Sequence, residues 1–408
     1  MQAGTGRFLA GRVPTLAKIF NRCNSGLAHH KKQRSVIIRR DVGVRIIELQ
    51  RAQVLNPADE RVIAAIQQQL GVWEDNWMVQ VAVLQGRRGS FCSGMDIDTV
   101  SEDPGKANVL LRGLCQVVRS LASFNKPVIS IIDGSCFGSG YALAMGKYKI
   151  CTERSLFTVP EPSRGLALAG GLSYTLPRLL GGNEALALCL GMTGLTLEGA
   201  NMHAAQLGTH WMPSSRLKPL IDRLNEVWQA KPDTFLHYGI ACEEGPKAVE
   251  IALEMSSDLS WETQDLMDFS FAERGAGDMV PHQTQFHRIL PEVEEAFAVG
   301  SVEEAVQNLK NCSGSWANVA LKNIARSSPL SLKVVFEQIK RGKTMSLDQC
   351  LEDEYRVNSS LLSMPDFQAA MSIQCAKDGM EATPCWSRRT LNEVSADDVI
   401  SLFEQKEN

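Results

Sequence analysis

The sequence has no cysteine pair at C-x-x-C spacing, no long apolar run and no acidic residue before Asp41. Each absence excludes something. The eleven cysteines stand singly between Cys23 and Cys385 with no histidine at zinc-finger spacing, so no metal site is expected and the thiols read as reduced and mostly buried. A membrane helix needs roughly 20 consecutive apolar residues. The longest candidates are broken by Gly, Lys or Asp, so no membrane span is expected. No internal repeat or low-complexity tract is present, which removes solenoids and arrays.

What is there suits a large core: 408 residues, 44% hydrophobic and 22% charged. The formal net charge of -4 hides an asymmetry. Nine Lys or Arg precede Asp41, and taking these nine from the 42 basic residues leaves 33 against 46 acidic ones, about -13 for the body. Such a body repels nucleic acid on average, and it carries no Lys/Arg stripe with interleaved aromatics. The basic, acid-free start, with Phe8, Leu9, Val13, Leu16, Ile19 and Phe20 interleaved, matches a mitochondrial transit peptide. A disordered tail and a retained arm touching phosphate backbones are the alternatives.

Past the leader, Val42 to Leu49, Val79 to Leu84, Val128 to Asp133 and Tyr148 to Cys151 read as buried strands. Between them, Val109, Leu110, Leu114, Val117, Val118 and Leu121 set an apolar stripe at helical spacing. Alternating strand and helix predicts an α/β core. From Ala185 onward the pattern is almost wholly helical, with start signals at Ser328-Pro329 and Ser346-x-x-Gln349. Gly275 to Gly277 and Cys312 to Trp316 read as loops. The division expected is a leader over 1–38, an α/β core over 39–215 and a helical region over 216–408.

Three segments could carry chemistry. Ser90-Phe-Cys-Ser-Gly-Met-Asp96 is a small-residue turn after a strand, where exposed backbone N–H groups can hold a developing oxyanion; taken alone, a tight turn with no ligand is the favoured reading. Gly134-Ser-Cys-Phe-Gly-Ser-Gly140 lies between a strand and a helix expected to begin near Tyr141, and its glycines let a ligand approach the backbone. It lacks the Walker lysine, the Rossmann spacing and a G-x-S-x-G elbow, so nucleotide and serine-hydrolase readings fail. Val159-Pro-Glu-Pro-Ser-Arg-Gly165 puts Glu161 between prolines in an apolar stretch. Burial there would raise the carboxylate toward acid or base work, or Glu161 simply pairs with Arg164 or Arg178.

Taken in order, these segments resemble the crotonase (enoyl-CoA hydratase/isomerase) superfamily, and within it the 3-hydroxyisobutyryl-CoA hydrolase branch. The tail adds to the likeness through Ser328-Pro-Leu-Ser-Leu-Lys333, Glu354-Tyr-Arg356, Asp366-Phe367 and Pro384-x-Trp386. The resemblance implies a spiral core of ββα repeats followed by a helical C-terminal region. It implies oxyanion donors at the backbone N–H of Ser93 and Ser139, substrate contacts at Gly94, Gly138 and Gly140, and Glu161 as the carboxylate that attacks or activates water. Acyl-CoA would be substrate, and no cofactor is implied.

The sequence departs from that pattern around the same pocket. The family's second carboxylate falls on Ala169 in Gly165-Leu-Ala-Leu-Ala169, and the superfamily's hydratase glutamate falls on Ala142. Ser139 and Met95 stand at family glycines, Gln53 at a lysine near the CoA phosphates, and Ala369-Ala-Met-Ser372 at an acid-Gly-x-Arg run. A lone carboxylate must serve both chemical roles. The expectation is therefore an impaired site on a fold kept as a structural subunit of a mitochondrial matrix assembly. Hydrolase-like proteins of this branch occur in the small subunit of some mitochondrial ribosomes, which implies protein and ribosomal RNA partners. An active hydrolase of valine breakdown using Glu161 is the competing expectation.

Overall fold

The computed structural model describes residues 34–229, 285–375 and 383–404, apart from 88 and 103, together with 249, 250, 252 and 253. Nearly all of the basic leader and the Gly275 to Gly277 segment lie outside the described residues.

Strands β1 (Val36–Arg40), β2 (Gly43–Leu49) and β3 (Val79–Gly86) start a six-stranded sheet, with helix α1 (Glu60–Glu74) crossing between β2 and β3. The chain then enters β4 (Ser90–Cys92), helix α2 (Pro104–Ser123), β5 (Val128–Ile132), β6 (Ser135–Phe137), β7 (Tyr148–Cys151) and β8 (Leu156–Thr158). Adding β9 (Leu197–Glu198) and β10 (His210–Trp211), the sheets run β1-β2-β3-β5-β7-β10 and β4-β6-β8-β9. Each passage from β3 to β4, β5 to β6 and β7 to β8 therefore carries the chain from one sheet to the other, which makes a spiral. All pairings are parallel except β1 with β2 and β8 with β9.

Alternation along the strands explains why the larger sheet is buried on both faces. Ile47, Ala82 and Leu84 point into the main core, while Ile46, Val81 and Val83 point into a second cluster on the opposite face. Helix α3 (Leu217–Gln229) covers that second face with Leu220, Ile221 and Leu224. Each Leu-sized side chain so buried contributes about 2 kcal/mol.

Helix α2 buries Leu110, Leu114, Val117, Val118 and Leu121 as expected, but Val109 is 59% exposed. It lies beside the stripe, since Ala107, Leu110, Leu111 and Leu114 already fill the inward positions at three- and four-residue spacing. Two further corrections concern local structure. The helix expected near Tyr141 is a 3-10 segment, Gly138–Ala144, already begun at the glycines, so the dipole of a long helix is not available there. The stretch after Ala185 contains β9 and β10, two-residue strands created by pairing with β8 and β7 and carrying no periodicity of their own.

The helical region comprises α4 (Gln285–Phe297), α5 (Val302–Asn311), α6 (Ser315–Arg326), α7 (Pro329–Gly342), α8 (Leu347–Leu361) and α9 (Pro365–Cys375). The expected starts are present. Ser328 accepts from the Ser331 N–H with Pro329 at the first helical position, and Ser346 with Gln349 forms a capping box. Cys312 to Trp316 is only partly a loop, since α6 opens at Ser315. Phe297, Trp316, Val335, Leu351 and Phe367 belong to the same hydrophobic cluster as Leu84 and Leu110, so these helices share the main core. Of the eight cysteines described as free thiols, six are buried. No helix among the described residues is long and apolar enough to cross a membrane.

The phase of α2 gives a direct test. Leu110→Ala should lower unfolding stability by about 2 to 5 kcal/mol, whereas Val109→Ala should stay within about 0.5 kcal/mol of the parent. Chemical denaturation of both variants checks this, and equal losses would contradict the assigned face.

Candidate functional site

The first loop of the site is fixed by a buried ion triad. Arg51 reaches Asp59 Oδ2 at 2.7 Å with one amino group and Asp96 Oδ2 at 3.0 Å with the other. Asp59 also caps α1 by accepting from the Val62 N–H at 2.9 Å. The Ala58 N–H donates to Gly94 O and the Asp96 N–H donates to Ala58 O, so residues 94–96 run as a short parallel bridge beside Ala58. Breaking one arm of such a buried pair costs about 3 to 5 kcal/mol. The turn that carries Ser93 and Gly94 is thus held to the loop that carries Gln53, itself exposed in the 3-10 turn Ala52–Val54.

The second loop meets the first at Ser139. Its Oγ accepts from the Met95 N–H at 3.1 Å and lies 2.8 Å from where a Cβ on Gly94 would stand. A Cβ on Gly140 would collide with Cys92 O, so the two loops touch backbone to backbone. Gly138 has φ +46° and faces the Glu161 carboxyl so closely that any side chain would strike it. Met95 turns its side chain into the main core.

Glu161 joins this junction directly. The Ser139 N–H donates to Glu161 Oε1 at 2.7 Å, and the residue as a whole is 6% exposed. Glu161 Oε2 is buried with no hydrogen-bond partner. Burial pushes the carboxyl up to about 7; the charge of Arg164 and the Ser139 N–H draw it down, and Glu354 pushes it further up. Arg178 is committed elsewhere, donating to the carbonyls of Tyr174, Gly342 and Met345 at 2.7 to 2.8 Å. The turn Glu161–Arg164 leans on the helical region: the Ser328 N–H donates to Pro162 O at 3.0 Å, and the Ser328 hydroxyl donates to Asp366 Oδ2 at 2.6 Å. Asp366 also accepts from the Ser387 N–H at 2.7 Å, tying the tail to the same turn.

The loop with Ala169 is clamped by three polar side chains from α7 and α8. Gln338 accepts from the Leu168 N–H at 2.9 Å, and Asn358 accepts from the Ala167 N–H at 3.0 Å. Glu354 accepts from the N–H groups of Gly171 and Ser173 at 2.8 Å each. At Gly170 a Cβ would stand 2.7 Å from Ser139 O and 3.1 Å from Ala142 Cβ, so this loop lies against the Ser139 loop. Ala169 is 6% exposed and brings only a methyl group.

The structure therefore brings together Gly94, Gly138, Ser139, Gly140, Glu161 and the loop of Ala169, with Ser93 one residue from the junction. It leaves Gln53 exposed on its own turn and places Ala370 and Met371 in the buried side of α9. Sequence reasoning missed Arg51, Gln338 and Asn358. The latter two carried a signal, since each is a polar residue on the apolar stripe of an amphipathic helix and is about 2% exposed. Among the described residues no group of three or more His, Cys, Asp or Glu could hold a metal ion.

A family model described as enoyl-CoA hydratase/isomerase matches residues 44–403. A mitochondrial 3-hydroxyisobutyryl-CoA hydrolase from Mus musculus is 28% identical over 411 residues, covering 98% of this chain and 97% of the relative. The enzyme of the same name from Xenopus tropicalis is 29% identical and covers 88% and 86% of the two chains. Two crystal structures share the fold at a TM-score of 0.72. A carnitinyl-CoA dehydratase from Mycobacterium thermoresistibile is 21% identical, covering 92% of this chain and 98% of its own, and an enoyl-CoA hydratase from Rhodobacter sphaeroides is 22% identical, covering 90% and 97%. The crotonase-type spiral with a helical C-terminal region is the fold observed.

A carboxyl raised to about 7 by burial must weaken the fold as it ionises. Its contribution is intact below the unfolded value near 4.5 and is lost as pH rises through 7, on the order of 3 kcal/mol in all. Glu161→Gln should match the parent at pH 4.5 and exceed it in stability at pH 8. Paired denaturant titrations across that range measure the difference, and a constant gap would contradict the assigned burial.

Proposed function

Because the chain belongs to the enoyl-CoA hydratase/isomerase family, we propose that it is a 3-hydroxyisobutyryl-CoA hydrolase-like protein whose pocket is impaired for thioester hydrolysis and whose fold serves as a structural subunit. The observation that carries this reading is the contact of the Ser139 N–H with Glu161 Oε1. An oxyanion hole works when its donors are aimed at the position the substrate oxygen will occupy. Here one expected donor is engaged by the expected catalytic carboxylate, and the Ser139 hydroxyl fills the gap between the two loops. Ala169 removes the partner that would share the proton work.

The proposed setting is a mitochondrial assembly such as the small subunit of the mitochondrial ribosome. Its supports are the nine basic residues ahead of Asp41 and the mitochondrial location in the names of the relatives. Protein partners would meet the acidic body, and the basic leader, if retained, would meet ribosomal RNA.

A second reading rests on a different observation. Glu161 is deeply buried, and burial pushes its carboxyl up to about 7, a range suited to moving protons at neutral pH. In that reading Glu161 activates water, the water oxygen adds to the thioester carbonyl, and the C–S bond breaks to give 3-hydroxyisobutyrate and CoA.

Native mitochondrial extract separates the two. The structural reading expects the chain to sediment with ribosomal small-subunit fractions and the purified chain to leave 3-hydroxyisobutyryl-CoA unhydrolysed. A free monomer or small oligomer, with turnover abolished by Glu161→Ala, would overturn it in favour of the enzyme.

A further inference from the structure

Strand β1 (Val36–Arg40) forms one edge of the six-stranded sheet and pairs with β2. Two hydrogen bonds fix the direction of its backbone groups. The Gln50 N–H donates to Ser35 O and the Asp41 N–H donates to Val44 O, so Ser35, Ile37, Arg39 and Asp41 turn their backbone groups toward β2. In an antiparallel pair the residues between turn theirs the other way. Val36, Ile38 and Arg40 therefore present N–H and C=O groups outward, and no second strand among the described residues pairs with them.

Sheet edges are commonly blunted by proline, by bulges or by shortness. β10, at the far edge, has two residues. β1 has five, with no proline, an unbroken register against β2 and no buried residue. Charge is what guards it. Arg34, Arg39 and Arg40 are exposed along it, and Arg40 stands directly opposite Arg45, where like charges repel. The acids nearby are engaged: Asp41 lies 3.6 Å from Arg39, and Glu48 accepts from the side-chain amides of Gln50 and Gln85. A second copy of β1 would bring its own arginines, so the edge disfavours itself and favours an acidic strand. Past Arg40, the turn residue Val42 is exposed, as are Trp77 and Met78, which directly precede the residue paired with Gly43. Arg, Trp and Met are enriched where proteins meet.

We propose that β1 is a docking edge for an extended acidic segment of a partner protein, which adds a strand to the sheet through the outward N–H and C=O groups of Val36, Ile38 and Arg40. Alternate apolar residues of that segment lie beside Val36 and Ile38, which already lean on the main core. Its carboxylates meet Arg39, Arg40 and Arg45. Main-chain pairing supplies the affinity, and charge selects the segment. This edge gives the structural-subunit reading a contact surface, but it contains none of Gly94, Ser139 and Glu161 and stands whether or not the chain hydrolyses thioesters.

A dye-labelled peptide, Glu-Val-Thr-Val-Glu-Val-Glu, titrated with the full chain and followed by fluorescence anisotropy, tests this. A peptide with lysine in place of each glutamate and a uridine oligonucleotide form separate arms. The acidic peptide should bind one per chain, at least tenfold more tightly than the lysine peptide. Ile38→Pro removes one outward N–H and leaves the bonds to β2 in place, so it should weaken the acidic peptide at least tenfold. In the parent, peptide binding should slow hydrogen exchange at the amides of Val36, Ile38 and Arg40 and change Ile37 and Arg39 little. That readout needs no variant, so it decides if Ile38→Pro does not fold. Absence of acidic-peptide binding, affinity unchanged in Ile38→Pro as capture by the basic leader would give, exchange that does not slow, or binding of the oligonucleotide alone would overturn the proposal.

Discussion

The hydrogen bond from the Ser139 N–H to Glu161 Oε1 is the contact around which the site is arranged. A buried carboxyl needs compensation for the water it has lost, and Oε1 obtains it from the Ser139 N–H while Oε2 has no hydrogen-bond partner. That arrangement requires a glycine at 138, because a side chain there would occupy the carboxyl's place. It also draws the Ser139 hydroxyl toward Gly94, where it accepts from Met95 and links the first loop to the second. Three segments far apart in sequence are thereby locked into one junction.

The helical region supplies the rigidity that this junction needs. Gln338, Glu354 and Asn358 satisfy the backbone of the loop through Ala169, and Ser328 with Asp366 supports the turn of Glu161. These are hydrogen bonds made inside the core, where an unmet backbone group costs about 1 to 3 kcal/mol. The loop through Ala169 thus keeps its position although the residue offers no carboxylate.

Much of this was legible in the sequence. Strand runs such as Tyr148 to Cys151 announced themselves by β-branched and aromatic content, and Ser328-Pro329 and Ser346-x-x-Gln349 marked helix starts through capping chemistry that acts within four residues. The glycine-bearing loops and Glu161 stood out because their residue types are unusual for their neighbourhoods. Tertiary effects were not legible. β9 and β10 exist only because sheet edges were available to pair with, and Val109 is exposed because neighbouring apolar residues already fill the inward face of its helix. The Arg51 triad joins residues 45 positions apart, and no local pattern signals it. Nor does composition reveal that the Glu161 carboxyl and the Ser139 N–H will bond to each other.

The central claim is that Ser139 and Ala169 together disable a pocket whose fold is otherwise intact. The most direct measurement is the turnover of 3-hydroxyisobutyryl-CoA by the purified parent and by the double variant Ser139→Gly, Ala169→Asp. The account expects a parent near background and a double variant at least tenfold faster, about 1.4 kcal/mol off the barrier. A parent that already turns over rapidly, with a double variant no faster, would contradict it.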